Sequence, residues 1–143
     1  PLLGREHGTQ VFRDLDEHPG DETFPGIAVL RLDGGLFFAT ADALEDRVRE
    51  VALSAPGSTA IVLDCGGMDF IDSQGSAKMG EILNLTKQAG VTLRLARLKP
   101  PVREVLERDG FLGRIGDDKI HGNIDHAVNA QLAVSGGHHA DCE

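Results

Sequence analysis

Tryptophan and tyrosine are absent, so phenylalanine supplies the whole 4% aromatic content. Without them the chain lacks the stacking platforms that hold single-stranded nucleic acid. Basic residues are also in short supply. Fourteen Lys and Arg face 23 Asp and Glu, for a formal net charge of -9. An acidic chain with no basic cluster does not bind a nucleic-acid backbone or an anionic membrane by charge. The two cysteines, Cys65 and Cys142, do not make a disulfide framework, and a reducing compartment suits both. No stretch reaches the roughly 18–20 apolar residues of a membrane span, so no direct membrane insertion is expected. Pro1 to Gly4 lack the charged and then apolar pattern of a signal peptide.

Catalytic signatures are missing as well. Gly75-Ser76-Ala77-Lys78-Met79-Gly80 has the wrong order and spacing for a phosphate loop. There is no His-Glu-x-x-His, Cys-x-x-Cys or Gly-x-Ser-x-Gly. His138, His139 and Cys142 lie in a tail that offers no fixed metal geometry, so no metal site is expected. His121 and His126 read as surface or packing residues, and Cys65 as a small buried hydrophobe.

The 143 residues, 41% of them apolar, suit one soluble domain with a real core. Residues 1–25 are polar and broken by Gly and Pro, a linker with one candidate strand at Val11–Leu15. Ile27–Leu32 reads as a strand, Asp33-Gly34-Gly35 as a hairpin turn, and Leu36–Ala39 as the returning strand. Thr40 has the chemistry of an N-cap for an amphipathic helix over 41–55. Ala60–Leu63 is continuously apolar, as a strand buried on both faces requires, and Met68–Ile71 can extend it. Asp72 to Ser76 open a helix that Gly90 ends, and Val91–Ala96 is the next strand. Pro100-Pro101 start a third helix, and Asn123 caps a last one over about 124–133. A disordered tail is expected over 135–143. This order predicts an α/β fold: a mixed sheet of four to five strands with about four to five helices packed against it.

In such sheets ligands bind beyond the carboxyl ends of the strands. Three loops are candidates there: Thr40, the run Asp72, Ser73, Gln74, Gly75 and Ser76, and Arg97 with Lys99. The middle loop stands at a helix N-terminus, where free backbone N–H groups favour anions. Two plainer roles stand beside that one. Asp72 or Ser73 can simply cap the helix, and Gly75 can let it pack closely on the sheet.

Ile61-Val62-Leu63-Asp64 followed by Met68-Asp69-Phe70-Ile71-Asp72-Ser73-Gln74-Gly75 resembles the signature of STAS domains. That family includes soluble anti-sigma factor antagonists and the C-terminal domains of SulP anion transporters. Gly8 to Leu15, Pro25 to Asp33, Leu36 to Ala39 and Leu106 to Phe111 are similar to segments of the transporter branch. The resemblance covers about 8–132 and implies a STAS domain over 8–134, with a STAS-type fold and a non-catalytic regulatory role. It would sit at the cytoplasmic face of the cell membrane, with the transmembrane domain of the same sulfate or anion transporter as partner. It also implies homo-oligomers through the parent transporter, and GTP, GDP or ATP as a weak ligand near Thr40, Asp72–Ser76 and Arg97, with no cofactor required. The alternative is a free-standing anti-sigma factor antagonist. In those proteins the phosphorylated Ser or Thr directly precedes the motif Gly. Here that position is Gln74, which has no hydroxyl, so phosphorylation would fall on Ser73 or Ser76.

Overall fold

The structure, a computed structural model, describes residues 2–54 and 57–142, without the side chains of Phe38, Ser54 and 135–142. Four parallel strands make the central sheet in the order β3 (Ile27–Leu36), β4 (Ala60–Ile71), β5 (Thr92–Ala96) and β6 (Ile120–His121). Antiparallel pairing belongs to a small hairpin, β1 (Leu3–Arg5) with β2 (Phe12–Asp14), and to bridges at Leu2–Leu30, Arg5–Glu22 and Phe24–Ile27. The helices are α1 (Phe38–Ser54), α2 (Ser73–Gln88), α3 (Pro100–Arg108), α4 (Phe111–Ile115) and α5 (Ile124–Cys142). The strand and helix counts are those expected of a STAS-type α/β fold.

The sheet is buried on both faces, which is why its strands read as continuous apolar runs. Leu30, Leu32, Ile61, Leu63, Leu93 and Leu95 face one way. They pack on Leu44 and Val48 of α1, Met79 and Ile82 of α2, Leu106 of α3 and Phe111 of α4. Val29, Val62 and Ala96 alternate with them and face the other way, onto Leu3 of β1 and Ile124, Ala127 and Val128 of α5. Leu3, Phe12 and Phe24 therefore bring the N-terminal segment into the second layer. Arg5 Nη1 donates to Asp125 Oδ1 at 2.6 Å, which fastens β1 to the start of α5. The Arg5 guanidinium also lies 4.9 Å over the Phe24 ring.

Two expectations are corrected. Asp33-Gly34-Gly35 is not a hairpin turn, and Leu36–Ala39 is not a returning strand. β3 runs straight through to Leu36, still parallel to β4, and Phe38 already begins α1. From Arg31 to Leu36 is five steps, while their partners Asp64 and Ile71 are seven apart, so β4 bulges twice. Gly34 has φ +78° at this irregularity, and a Cβ on Gly67 would stand 2.5 Å from Asp33 Oδ1. A positive-φ glycine after Asp serves a bulge as readily as a turn, so the local signal is the same for both. The second correction concerns 135–142 of the expected tail, Glu143 lying outside the described residues. Helical backbone continues to Cys142, because nothing from 133 to 142 is proline, and Gly136 and Gly137 weaken a helix without stopping it.

The start of α2 is seated on the end of β3. The Asp72 N–H donates to the Leu36 carbonyl at 3.3 Å. A Cβ on Gly75 would stand 2.3 Å from that same carbonyl oxygen and 3.1 Å from Ile71 Cγ1. The nearest atoms are those of the Leu36 backbone carbonyl, which has no flexible end to yield. Gly75→Ala is expected to lower stability by about 1–3 kcal/mol through overpacking, read as a lower urea midpoint. Met79→Ala, which empties a fully buried position, should cost about 2–5 kcal/mol. A wild-type midpoint for Gly75→Ala would show that the helix start is not pressed on the strand.

Candidate functional site

The carboxyl ends of the four parallel strands lie along one edge of the sheet, and every loop expected to carry function leaves from it. At β4 the chain turns through Asp72 into α2. Asp72 is the N-cap, and its Oδ1 accepts from the Gly75 N–H at 2.7 Å. The Ser76 N–H takes the Asp72 carbonyl at 2.9 Å. Both plainer roles of this motif are therefore filled, capping by Asp72 and close approach by Gly75. Ser73 and Gln74 remain exposed on the first turn. Ser76 is only 3% exposed.

Thr40 stabilises a helix start, but from inside the helix. Phe37 is the flanking residue, and Thr40 Oγ1 accepts from the Phe37 N–H at 2.9 Å while lying within 3.0 Å of the Gly35 carbonyl. The hydroxyl reaches back from the third helical position, as the second half of a capping box does. Lys99 precedes α3, where its ammonium meets Asp69 Oδ1 at 2.7 Å on the surface.

Arg97 follows β5 in a left-handed conformation, φ +62°, rare for a residue with a side chain. Its guanidinium lies over Gly66, where a Cβ would come within 2.4 Å of Cζ. Its Nη1 is 3.4 Å from Oδ2 of Asp64, a carboxylate only 1% exposed, whose Oδ1 accepts from the Gly66 N–H at 3.0 Å. Arg31 approaches the same carboxylate at 3.9 Å. Asp64 aligns in register with Ala96, on the α5 side of the sheet, whereas α2 packs on the other side.

The three loops thus share an edge but open on different recesses. Thr40 lines one with Arg31, Leu44, Arg47 and Met68. Arg97 lines another with Arg103, Asp117 and His121. Ser73 and Ser76 line a third, of about 350 Å³, with Ala77, Gly80, Asp109, Phe111 and Arg114. Arg114 escaped the sequence reading because it sits on a short helix with no signal of its own. Gly80, in the middle of α2, was the available hint, since a glycine inside a helix needs a packing reason. The side chains of His138, His139 and Cys142 lie outside those described.

Two buried groups are chemically constrained. Burial, then the neighbouring Asp64, push the Cys65 thiol up to about 12, as expected of an inert packing residue. Arg94 of β5 is buried on the α5 side. Its Nε donates to Gln131 Oε1 at 3.0 Å and its Nη1 to the Asp118 carbonyl at 3.2 Å. The same Nη1 is 3.1 Å from His121 Nε2. A guanidinium only donates, so that histidine nitrogen accepts and the ring is neutral.

Burial, then the charges of Arg94 and His126, hold His121 below its ordinary value of 6.5, against the opposing pull of Asp118. As pH falls, the unfolded chain therefore takes up this proton first. The stability of the neutral ring is present above 6.5 and is lost as pH drops from there toward the lower native value. The urea midpoint should fall between about pH 7.5 and about pH 5.5. His121→Gln, which keeps an acceptor for Arg94 but cannot titrate, should shrink that fall. An equal fall in both proteins would remove His121 as its source.

Comparison with known proteins agrees with this architecture. Residues 18–127 match the profile of the family described as STAS domain. The chain is 26% identical over 137 residues to probable sulfate transporter 4.2 of Arabidopsis thaliana, an alignment covering 89% of this chain and 20% of the relative. It thus spans about a fifth of the length of that transporter. The SulP transporter STAS domain from Vibrio cholerae superposes with a TM-score of 0.69 at 22% identity, covering 86% of this chain and 94% of that one. The murine anion transporter Slc26a9 gives a TM-score of 0.79 at 18% identity, covering 92% of this chain and 22% of that one. The anti-sigma factor antagonist SpoIIAA shares the fold at a TM-score of 0.61 and 16% identity, over 76% of this chain and 90% of that one. A parallel sheet with α2 capped by Asp72 and seated through Gly75, together with a family match over most of its length, shows that this chain belongs to the STAS domain family.

Proposed function

We propose that the chain is the regulatory STAS domain of a SulP-type sulfate or anion transporter and acts by contact rather than by catalysis. The observation that carries this reading is the asymmetry of coverage. Sulfate-transporter relatives align over 89–92% of this chain, yet it accounts for only 20–23% of their length. The remaining four fifths or so would supply the membrane domain, and this domain would hang at the cytoplasmic face. None of the helices among the described residues is long and apolar enough to cross a membrane. A regulatory domain of this kind biases a two-state transporter through contacts that differ between the states.

One surface suits such a contact. Phe37, at the end of β3, and Phe70, near the end of β4, are 46% and 51% exposed, with ring centroids 5.4 Å apart. Two large rings held together in water gain from being covered, and aromatic pairs are frequent binding anchors. They stand beside Thr40 and the α2 start, on the edge where the candidate loops gather. In this reading the covering partner is the membrane domain of the same transporter. Gln74, exposed and without a hydroxyl, gives no support to a phosphate switch at the position that anti-sigma factor antagonists use.

In the intact transporter, replacing Phe37 and Phe70 together by serine should change sulfate uptake by about fivefold or more, the lower range of allosteric coupling. The urea midpoint of the isolated chain should stay close to wild type, because both rings are already half in water. Uptake that is unaltered by the double replacement and by removal of residues 8–134 would sink the regulatory reading.

A further inference from the structure

The contacts of the buried Arg94 concern how this chain holds its own last helix, whatever the domain is attached to. Arg94 lies in the middle of β5 and is 5% exposed. Its contacts reach three other elements. Nε donates to Gln131 Oε1 of α5, a residue itself 4% exposed. Nη1 donates to the Asp118 carbonyl, in the single 3-10 turn before β6, and meets His121 Nε2 on β6. All three acceptors are neutral: an amide, a carbonyl and an imidazole nitrogen.

What this cluster holds is otherwise lightly held. β6 is two residues long and pairs only with β5. Among the described residues, the buried apolar cluster on the α5 side has seven members, against twenty-three on the α1–α2 side. Layers with few buried contacts open locally before the whole domain unfolds. Asp125, at the start of α5, is tied to Arg5. The part able to lift is therefore the helix beyond Val128, where Gln131 sits.

The ring can take up a proton in place, because His121 lines an open recess of about 230 Å³ with Arg97, Arg103 and Asp117. An imidazolium has two N–H donors and no acceptor. A charged ring would set donor against donor, and cation against cation, at 3.1 Å from Arg94. The other groups that face it do not offset this. Arg97 after β5 and Arg103 on α3 are cations, and His126 on α5 adds repulsion when charged. The two carboxylates, Asp117 and Asp118, are exposed, and Lys119 pairs with Asp118 at 3.3 Å.

We propose that Arg94, His121 and Gln131 form a proton-operated clasp: acid breaks the Arg94–His121 contact and frees β6 and the part of α5 beyond Val128, while the α1–α2 layer stays packed. Lifting α5 bares part of the sheet face that it covers, so the surface the domain presents depends on pH. A fall in overall stability on acidification does not require this. A clasp requires that the opening be local.

The test is hydrogen exchange of this chain followed by NMR at about pH 7.5 and about pH 5.5, each over urea concentrations below the unfolding midpoint. At the lower pH the amides of Asn129, Gln131 and Leu132 should exchange with little dependence on urea, as a local opening does. Those of Met79 and Ile82 should keep the steep dependence of global unfolding. Between the two pH values, protection of the α5 amides, corrected for intrinsic rates, should fall by about three- to tenfold. Tenfold is about the ceiling for one histidine that opens to the ordinary value of 6.5. His121→Gln keeps an acceptor for Arg94 and cannot titrate, so it should lose most of that fall. The nitrogen spectrum of the ring gives a second readout: at the higher pH Nε2 should be bare and the proton should sit on Nδ1. The clasp does not exist if the α5 amides show the same urea slope as those of α2, if their protection does not fall, if His121→Gln falls equally, or if Nε2 carries the proton. No transport is measured, so neither result bears on the regulatory reading.

Discussion

Everything on the loop edge depends on one close approach, the backbone of Gly75 against the carbonyl of Leu36. That carbonyl ends β3, receives the Asp72 N–H, and lies where any side chain at 75 would have to go. The contact fixes where α2 starts and how far its first turn stands from the strand ends. The direction of Ser76 and the exposure of Ser73 follow from it. So does the packing of Met79 and Ile82, which carry the same helix into the core. Local capping by Asp72 and long-range seating on β3 are thus two demands met by four consecutive residues. Few sequences satisfy both, which gives the short Asp-Ser-x-Gly run its value as a marker.

Much of this fold was legible because the physics is local. The continuous run Ala60–Leu63 announces a strand covered on both faces, and the sheet has a helical layer on each side of it. Pro100-Pro101, Asp72 and Asn123 each stand at the helix start expected of them. The failures are also instructive. Asp33-Gly34-Gly35 carries turn chemistry, and the bulge that it serves depends on extra residues in β4, more than thirty positions away. β1 and β6 are two or three residues long and owe their existence to neighbours rather than to their own pattern. No window of sequence contains that information.

The site was legible by edge but not by partnership. Thr40, Ser73 and Arg97 were expected together because their strands are neighbours, and their loops do leave from one edge. A sheet has two faces, however, and the left-handed backbone at Arg97 returns its side chain to Asp64 on the α5 side. Arg114 joins Ser76 instead, through a helix that sequence periodicity did not reveal. Which loops share an edge follows from strand order. Which side chains meet depends on pleat and helix packing, and one backbone angle is enough to change the answer.

The Arg5–Asp125 bond spans 120 positions, and its consequence is mechanical. The β1–β2 hairpin and the last helix share one ion pair and one apolar seam over Val29 and Val62. Tension applied to the N-terminal strands would therefore reach α5 through Arg5 as well as the sheet through the Leu2–Leu30 bridge. Whatever is tethered to that hairpin has a lever on the helix that closes the opposite layer.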